Sequence, residues 1–216
     1  MKKIDYAVAA SAVFIHHLHR DGFDRGMIAT FGSSLHVNQN FTSSSAHLYT
    51  ALRSVRLNGA TRLYDSIEDV VQLFWRYGDR QRPWLLTIIT DGQDNESRKY
   101  KNRPANIGQY VATNFMHEPT NFTFLIGVGS GQEIDATALA TLGKMGRFPA
   151  MTIAAFPLLE RLFLQIALSI SEQLIGQQIN IGNLTWEQVS RIYQVSQIPI
   201  DYAFLIDCST SMESAG

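Results

Sequence analysis

With Cys208 as its one cysteine, the 216-residue chain can form no internal disulfide, which excludes the disulfide-stapled scaffolds of small secreted proteins. The shortage favours a reducing, cytoplasmic setting or a fold indifferent to redox state. An excess of either charge is also missing: 18 Lys and Arg against 19 Asp and Glu leave a net charge of -1 and a pI near 6.6. Without a basic field, nucleic acid and anionic membrane are not expected partners. No apolar run reaches the roughly 20 residues of a spanning helix, so membrane insertion is not expected either. Internal repeats and low-complexity tracts are lacking too, which argues against solenoids and long linkers.

What is present is 45% apolar and 17% charged residue content, the balance of a globule with a full core rather than of a disordered tail. The length suits one domain, residues 1–216. Lys2 and Lys3 ahead of the small apolar stretch 7–15 loosely resemble a signal peptide. Asp5 and the polar His16, His17, His19 and Arg20 favour an amphipathic helix over 2–19 instead, with Ile4, Val8, Ala12, Ile15 and Leu18 on one stripe.

Further along, the pattern predicts strands at 27–31, 84–90, 122–128, 148–154 and 202–206. Helices are predicted at 46–57, 61–77, 105–116, 133–145 and 157–175. Residues 35–37 read as a brief antiparallel return at a sheet edge, and 38–45 as a polar loop. This alternation predicts a doubly wound, Rossmann-like α/β fold: a mostly parallel six-stranded sheet with one antiparallel edge strand and helices on both faces. Residues 176–200 break the rhythm and read as a linker with a short helix near 185–195.

The chemistry gathers at the end of the chain. The apolar run 202–206 has the density of a strand buried on both faces. It ends at Asp207, and Ser209 and Ser211 follow at steps of two. A carboxylate and two hydroxyls leaving the carboxyl end of a buried strand can converge on one point, and oxygen ligands alone favour a hard divalent cation. Asp91 ends a second buried strand, and Thr61 stands at a loop-to-helix junction. Taken singly, Thr61 reads as a helix N-cap and Asp91 as a turn residue.

Asp-x-Ser-x-Ser after an apolar strand resembles the metal-ion-dependent adhesion site of von Willebrand factor type A domains, in which the threonine and the second aspartate come from two further loops. Asp207, Ser209, Ser211, Thr61 and Asp91 match that set one by one. In the family the Asp-x-Ser-x-Ser strand opens the domain, whereas here it closes the chain, so the resemblance implies a circular permutation. Residues 1–175 run from the first helix to the last, 176–200 join the family's usual termini, and 201–216 hold the central strand and metal loop. The resemblance further implies Mg²⁺ as cofactor, with Mn²⁺ or Ca²⁺ as alternatives. It implies a non-enzymatic, protein-binding role in which an Asp or Glu carboxylate of the partner completes the metal's coordination.

Two other readings stay open. Aspartates ending two parallel strands also resemble haloacid-dehalogenase-type phosphatases, with Asp207 as nucleophile and Mg²⁺ as cofactor. That family's second acid is replaced here by Ser209, and the sequence nominates no base for the phosphate. The other reading is a structural module with an empty site. Of the remaining residues, Asp94 is expected as a solvated loop residue, Asp65 as a favourable charge in a first helical turn, and Cys208 as an unreactive packed thiol. His16, His17 and His19 are expected at the surface. Asn40, Asn121 and Asn183 head glycosylation triplets that matter only in a secreted protein.

Overall fold

In the computed structural model, which describes residues 2–91, 93–129, 134–153, 163 and 198–213, the last strand of the chain lies in the middle of the sheet. The elements run α1 (Lys3–Leu18), β1 (Arg25–Phe31), β2 (Leu35–Thr42), α2 (Ser45–Ser54), α3 (Leu63–Tyr77), β3 (Trp84–Thr90), α4 (Pro104–Asn114), β4 (Phe122–Val128), α5 (Ala136–Gly146), β5 (Ala150–Ile153) and β6 (Asp201–Asp207), followed by a 3₁₀ turn (Thr210–Glu213). The six strands are ordered β2-β1-β6-β3-β4-β5. Only β1 and β2 pair antiparallel, at one edge; every other pairing is parallel.

Strand β6 shows why the apolar run is continuous. Side chains alternate across a strand, and both faces of this one are covered. Tyr202, Phe204 and Ile206 enter a core with α1 and α2, against Phe14, Leu18, Leu48 and Leu52. Ala203 and Leu205 enter a second core with α3, α4 and α5, against Ile67, Phe74, Val111 and Leu142. The first is strongly aromatic: Phe14 makes edge-to-face contacts with Tyr202 at 5.4 Å and Phe204 at 5.2 Å between ring centroids. Gly26 on β1 makes room for it, because a Cβ there would lie 2.6 Å from the Tyr202 ring and 2.8 Å from Leu48. Burying each such side chain contributes about 1.5–3 kcal/mol.

The amino end of β6 is fixed by charge. Asp201 is fully buried and accepts both Arg25 nitrogens, Nε at 2.9 Å and Nη2 in a short contact. It also accepts the Asp79 N–H at 2.7 Å, and Arg82 lies 3.7 Å away. One carboxylate therefore aligns the start of β6 with β1 and with the loop that enters β3.

The doubly wound architecture, the parallel sheet and the antiparallel edge agree with the expectation from sequence; several boundaries do not. Strand β2 extends through Thr42, where a polar loop was expected from residue 38. Leu35, Val37 and Phe41 pack on the α3 side while His36, Asn38 and Asn40 alternate with them. This is a half-buried edge strand with one polar face, and that polarity resembles a loop's. Helix α3 begins at Leu63 with Arg62 at its N-cap position and no side-chain cap bond, so Thr61 does not cap it. His19 is not at the surface: its ring is buried beside Tyr202, with Nδ1 3.0 Å from the phenol oxygen. Asn121 is also buried, accepting the Trp84 N–H and donating to the Phe115 carbonyl, so its glycosylation triplet is closed in the folded chain. The helix expected at 157–175 and the linker at 176–200 lie outside the described residues, apart from Phe163 and 198–200.

Because β6 separates β1 from β3, deleting residues 201–216 would leave two buried strand edges facing an emptied slot. The truncated chain is expected to lose its cooperative urea transition and its near-UV circular dichroism. A retained cooperative transition would show that the sheet closes without β6.

Candidate metal centre

Parallel pairing brings the carboxyl ends of β6 and β3 together: Ile206 is level with Ile89, so Asp207 and Asp91 leave the sheet side by side. Asp207 is fully buried. Its Oδ2 accepts the Thr90 hydroxyl at 2.6 Å and its Oδ1 accepts the Ser209 N–H at 2.8 Å. The chain then turns so that the two serine hydroxyls meet. Ser209 Oγ and Ser211 Oγ are 2.8 Å apart, and Ser211 donates to Asp91 Oδ1 at 2.7 Å. On the far side of Asp91, Lys3 Nζ donates to Oδ2 at 3.0 Å, with the two side chains only 5% and 1% exposed. One connected polar cluster thus holds Asp207, Ser209, Ser211, Asp91 and Lys3.

Thr61 reaches the same end of the sheet by another route. Its N–H donates to Asn95 Oδ1 at 2.9 Å, and its carbonyl accepts the Asn95 and Glu96 N–H groups, each at 3.0 Å. It is buried and stitched to the segment after β3, but its hydroxyl hydrogen-bonds to none of the described residues. Of the five site residues read from the sequence, four are joined in one cluster and Thr61 is only held near it. The loops themselves approach closely: a Cβ on Gly32 would overlap the Asn58 carbonyl, and Gly59 adopts φ +64°, a left-handed conformation that suits glycine.

The electrostatics show a shortage of positive charge. Burial pushes the Asp207 carboxyl up to about 6, and the Asp91 charge adds to this, against the opposing hydrogen bonds from Thr90 and Ser209. Burial and the Asp207 charge push the Cys208 thiol up to about 11. Its Sγ donates to the Phe31 carbonyl at 3.1 Å; the thiol is a packed, protonated group, as expected.

Two acidic neighbours have other roles than those expected. Asp94 is half-buried, not solvated: Oδ1 accepts the Tyr64 N–H and the Ser97 hydroxyl, while Oδ2 is buried with no hydrogen bond among the described residues. Burial accordingly pushes its carboxyl up. Asp65 is more than a first-turn charge. It accepts the N–H groups of Arg98, Lys99 and Tyr100 and so braces the segment after β3; these bonds outweigh burial and hold its carboxyl below the usual range. Lys3 and Thr90 were not legible as site residues. Thr90 carried a weak signal, as the residue preceding Asp91 on a buried strand. Lys3 carried none, since nothing local links positions 3 and 91.

The donor set is two carboxylates and two hydroxyls, all hard oxygens, with an ammonium already against one carboxylate. This chemistry fits a hard divalent cation. Among the described residues no group of three or more His, Cys, Asp or Glu side chains could hold a metal ion; a site here would depend on the serines.

No family model matches the sequence, and no curated protein does. Solved structures do resemble it. A von Willebrand factor type A protein from Catenulispora acidiphila superposes with a TM-score of 0.63 at 16% identity, over 78% of this chain and 38% of that one. The conserved hypothetical protein BatB from Bacteroides thetaiotaomicron does so with a TM-score of 0.57 at 13% identity, over 78% of this chain and 88% of that one. The chain therefore spans well under half the length of the first. At these identities the likeness is one of fold, and that fold is the von Willebrand factor type A architecture.

A carboxyl raised from 3.8 to about 6 on folding binds its proton more tightly in the folded state. Its contribution to stability is present at low pH and is lost as pH rises from about 4 to about 6. In chelator-containing buffer, Asp207→Asn is expected to be more stable than wild type at pH 7, by up to roughly 3 kcal/mol. The gap should close by pH 4 in urea titrations. Parallel pH profiles for the two proteins would place the buried proton elsewhere.

Proposed function

We propose that the chain is a non-enzymatic protein-binding module whose metal site takes an acidic residue of a partner. The observation that carries this reading is the cluster Asp207–Ser209–Ser211–Asp91 at the carboxyl ends of two adjacent central strands. Asp207, Ser209, Ser211, Asp91 and Thr61 would hold Mg²⁺, or Mn²⁺ or Ca²⁺ in its place. When bound, the ion supplies an electrophilic position at which a partner's Asp or Glu carboxylate can coordinate, because neutral hydroxyls leave much of its charge uncompensated. In this reading Ser209, Ser211 and Thr61 would bind the ion directly and Asp207 and Asp91 mostly through water, and the protein's own part is to hold these oxygens in register. Thr90 and the Ser209 N–H orient Asp207, and Asp65 and Asn95 fix the loop that carries Asp91 and faces Thr61.

In this reading the domain is circularly permuted. The family's opening strand corresponds to β6, which is last in the chain yet lies between β1 and β3. Residues 176–200 would supply the join. No described helix is long and apolar enough to cross a membrane, and the near-neutral charge gives nucleic acid no purchase. The phosphatase alternative is disfavoured by the burial of Asp207, both of whose oxygens are already engaged. The basic residue it lacked in sequence is Lys3, but that ammonium is buried against Asp91.

Calorimetric titration of Mg²⁺ and Mn²⁺ tests the reading. Saturable one-site binding is expected in the wild-type chain, with at least a tenfold loss in Asp207→Ala. The absence of saturable binding in the folded chain, with Lys3 present or neutralised, would overturn it.

A further inference from the structure

We infer that Lys3 is a tethered counter-cation: its ammonium occupies the Asp91 side of the site and must withdraw when a divalent ion binds, releasing the first turn of α1. The inference rests on the metal-site reading above and adds to it a coupling between the ion and the start of α1.

Three observations carry it. First, Lys3 is almost entirely buried and its Nζ lies 3.0 Å from Asp91 Oδ2. A lysine is tolerated inside a protein only when its charge is matched, and Asp91 supplies a matching charge. Second, Lys3 is the first residue of α1, at the positive end of the helix dipole, where a cation is unfavourable. Helix formation therefore does not explain its position; the carboxylate at the site does. Third, the same turn is fastened to the other metal loop. Lys2 Nζ is 3.0 Å from Glu213 Oε1, at the end of the 3₁₀ turn that carries Ser211, and the Lys2 N–H is held by Asp5 at 3.0 Å.

A divalent ion sharing Asp91 would meet an ammonium a few ångströms away. At that separation two like charges repel strongly where water is scarce. Either the ion is excluded or Lys3 leaves. The rest of α1 is held by a buried face that includes Ile4, Phe14, Ile15 and Leu18 with Ser11 among them, so withdrawal of the ammonium would fall on the Lys3 side chain and the first turn. By linkage, the affinity lost in displacing Lys3 equals the stabilisation that the ion removes from that turn. The site therefore has a built-in brake on metal binding.

Lys3→Met removes the charge and keeps an unbranched stem, whereas Lys3→Arg keeps the charge. Mn²⁺ titration of both and of the wild-type chain should show at least tenfold tighter binding in Lys3→Met and unchanged or weaker binding in Lys3→Arg. Adding Asp207→Ala should abolish the gain. Should Lys3→Met fail to fold, the wild-type chain carries the test: Mn²⁺ is expected to speed amide hydrogen exchange at residues 3–6 while slowing it at 207–212. Equal or weaker binding in a folded Lys3→Met, or unchanged exchange at 3–6 in metal-bound wild type, would overturn the brake and leave the site intact. No binding in any variant would remove both.

Discussion

Insertion of β6 between β1 and β3 is the interaction on which the rest of the molecule depends. All seven of its residues pair in parallel with β1 and Asp201–Ile206 pair in parallel with β3, and their alternating side chains enter both cores. Parallel strands need covering helices on both faces, because neither face can be left wet; hence the two layers. The same register sets the functional end. Once Ile206 is level with Ile89 and Thr30, Asp207 can leave the sheet only beside Asp91 and the β1–β2 turn. The opposite end is locked by Asp201 with Arg25, so the strand can neither slip nor fray outward.

The buried carboxylates fall into two groups. Asp201 and Asp24 each meet an arginine, and Asp65 accepts three backbone N–H groups that hold its proton affinity down. These three are balanced and structural. Asp207 is different: fully buried, beside a second carboxylate, it is offered a hydroxyl and an N–H but, among the described residues, no arginine. Among the described residues the cation in the cluster is Lys3, which lies against Asp91. A shortage of positive charge beside Asp207, where Asp201, Asp24 and Asp65 are each balanced, marks a candidate ion site, and it follows from burial and Coulomb's law rather than from any likeness to other proteins.

Much of this was legible before the structure. The density of apolar residues in 202–206, 84–90 and 122–128 marked strands buried on both faces, and the helix read over 61–77 is α3, whose Leu63, Ile67, Val70, Val71 and Phe74 are buried in the second core. Asp207, Ser209 and Ser211 were legible together because they follow one buried strand at steps of two, whereas Asp91 was joined to them only through the resemblance to von Willebrand factor type A domains. Strand β2 was half missed because a half-buried edge strand with one polar face is locally as polar as a loop. Thr61 lies at the same end of the sheet, tied there by backbone bonds with Asn95, which side-chain reasoning does not see.

The sequence by itself determined the periods of its strands and helices, the doubly wound class and the oxygen-rich loop after β6, because each depends on residues within a few positions of one another. Tertiary structure alone decided that Lys3 meets Asp91, that Asp65 and Asn95 brace the loops, and that Asp94 and His19 are withdrawn from water. Those contacts join residues tens to nearly two hundred positions apart, and they exist only after both cores have packed. Local pattern carries hydrophobic period and turn chemistry, whereas the matching of buried charges depends on which chain ends and loops the sheet brings together.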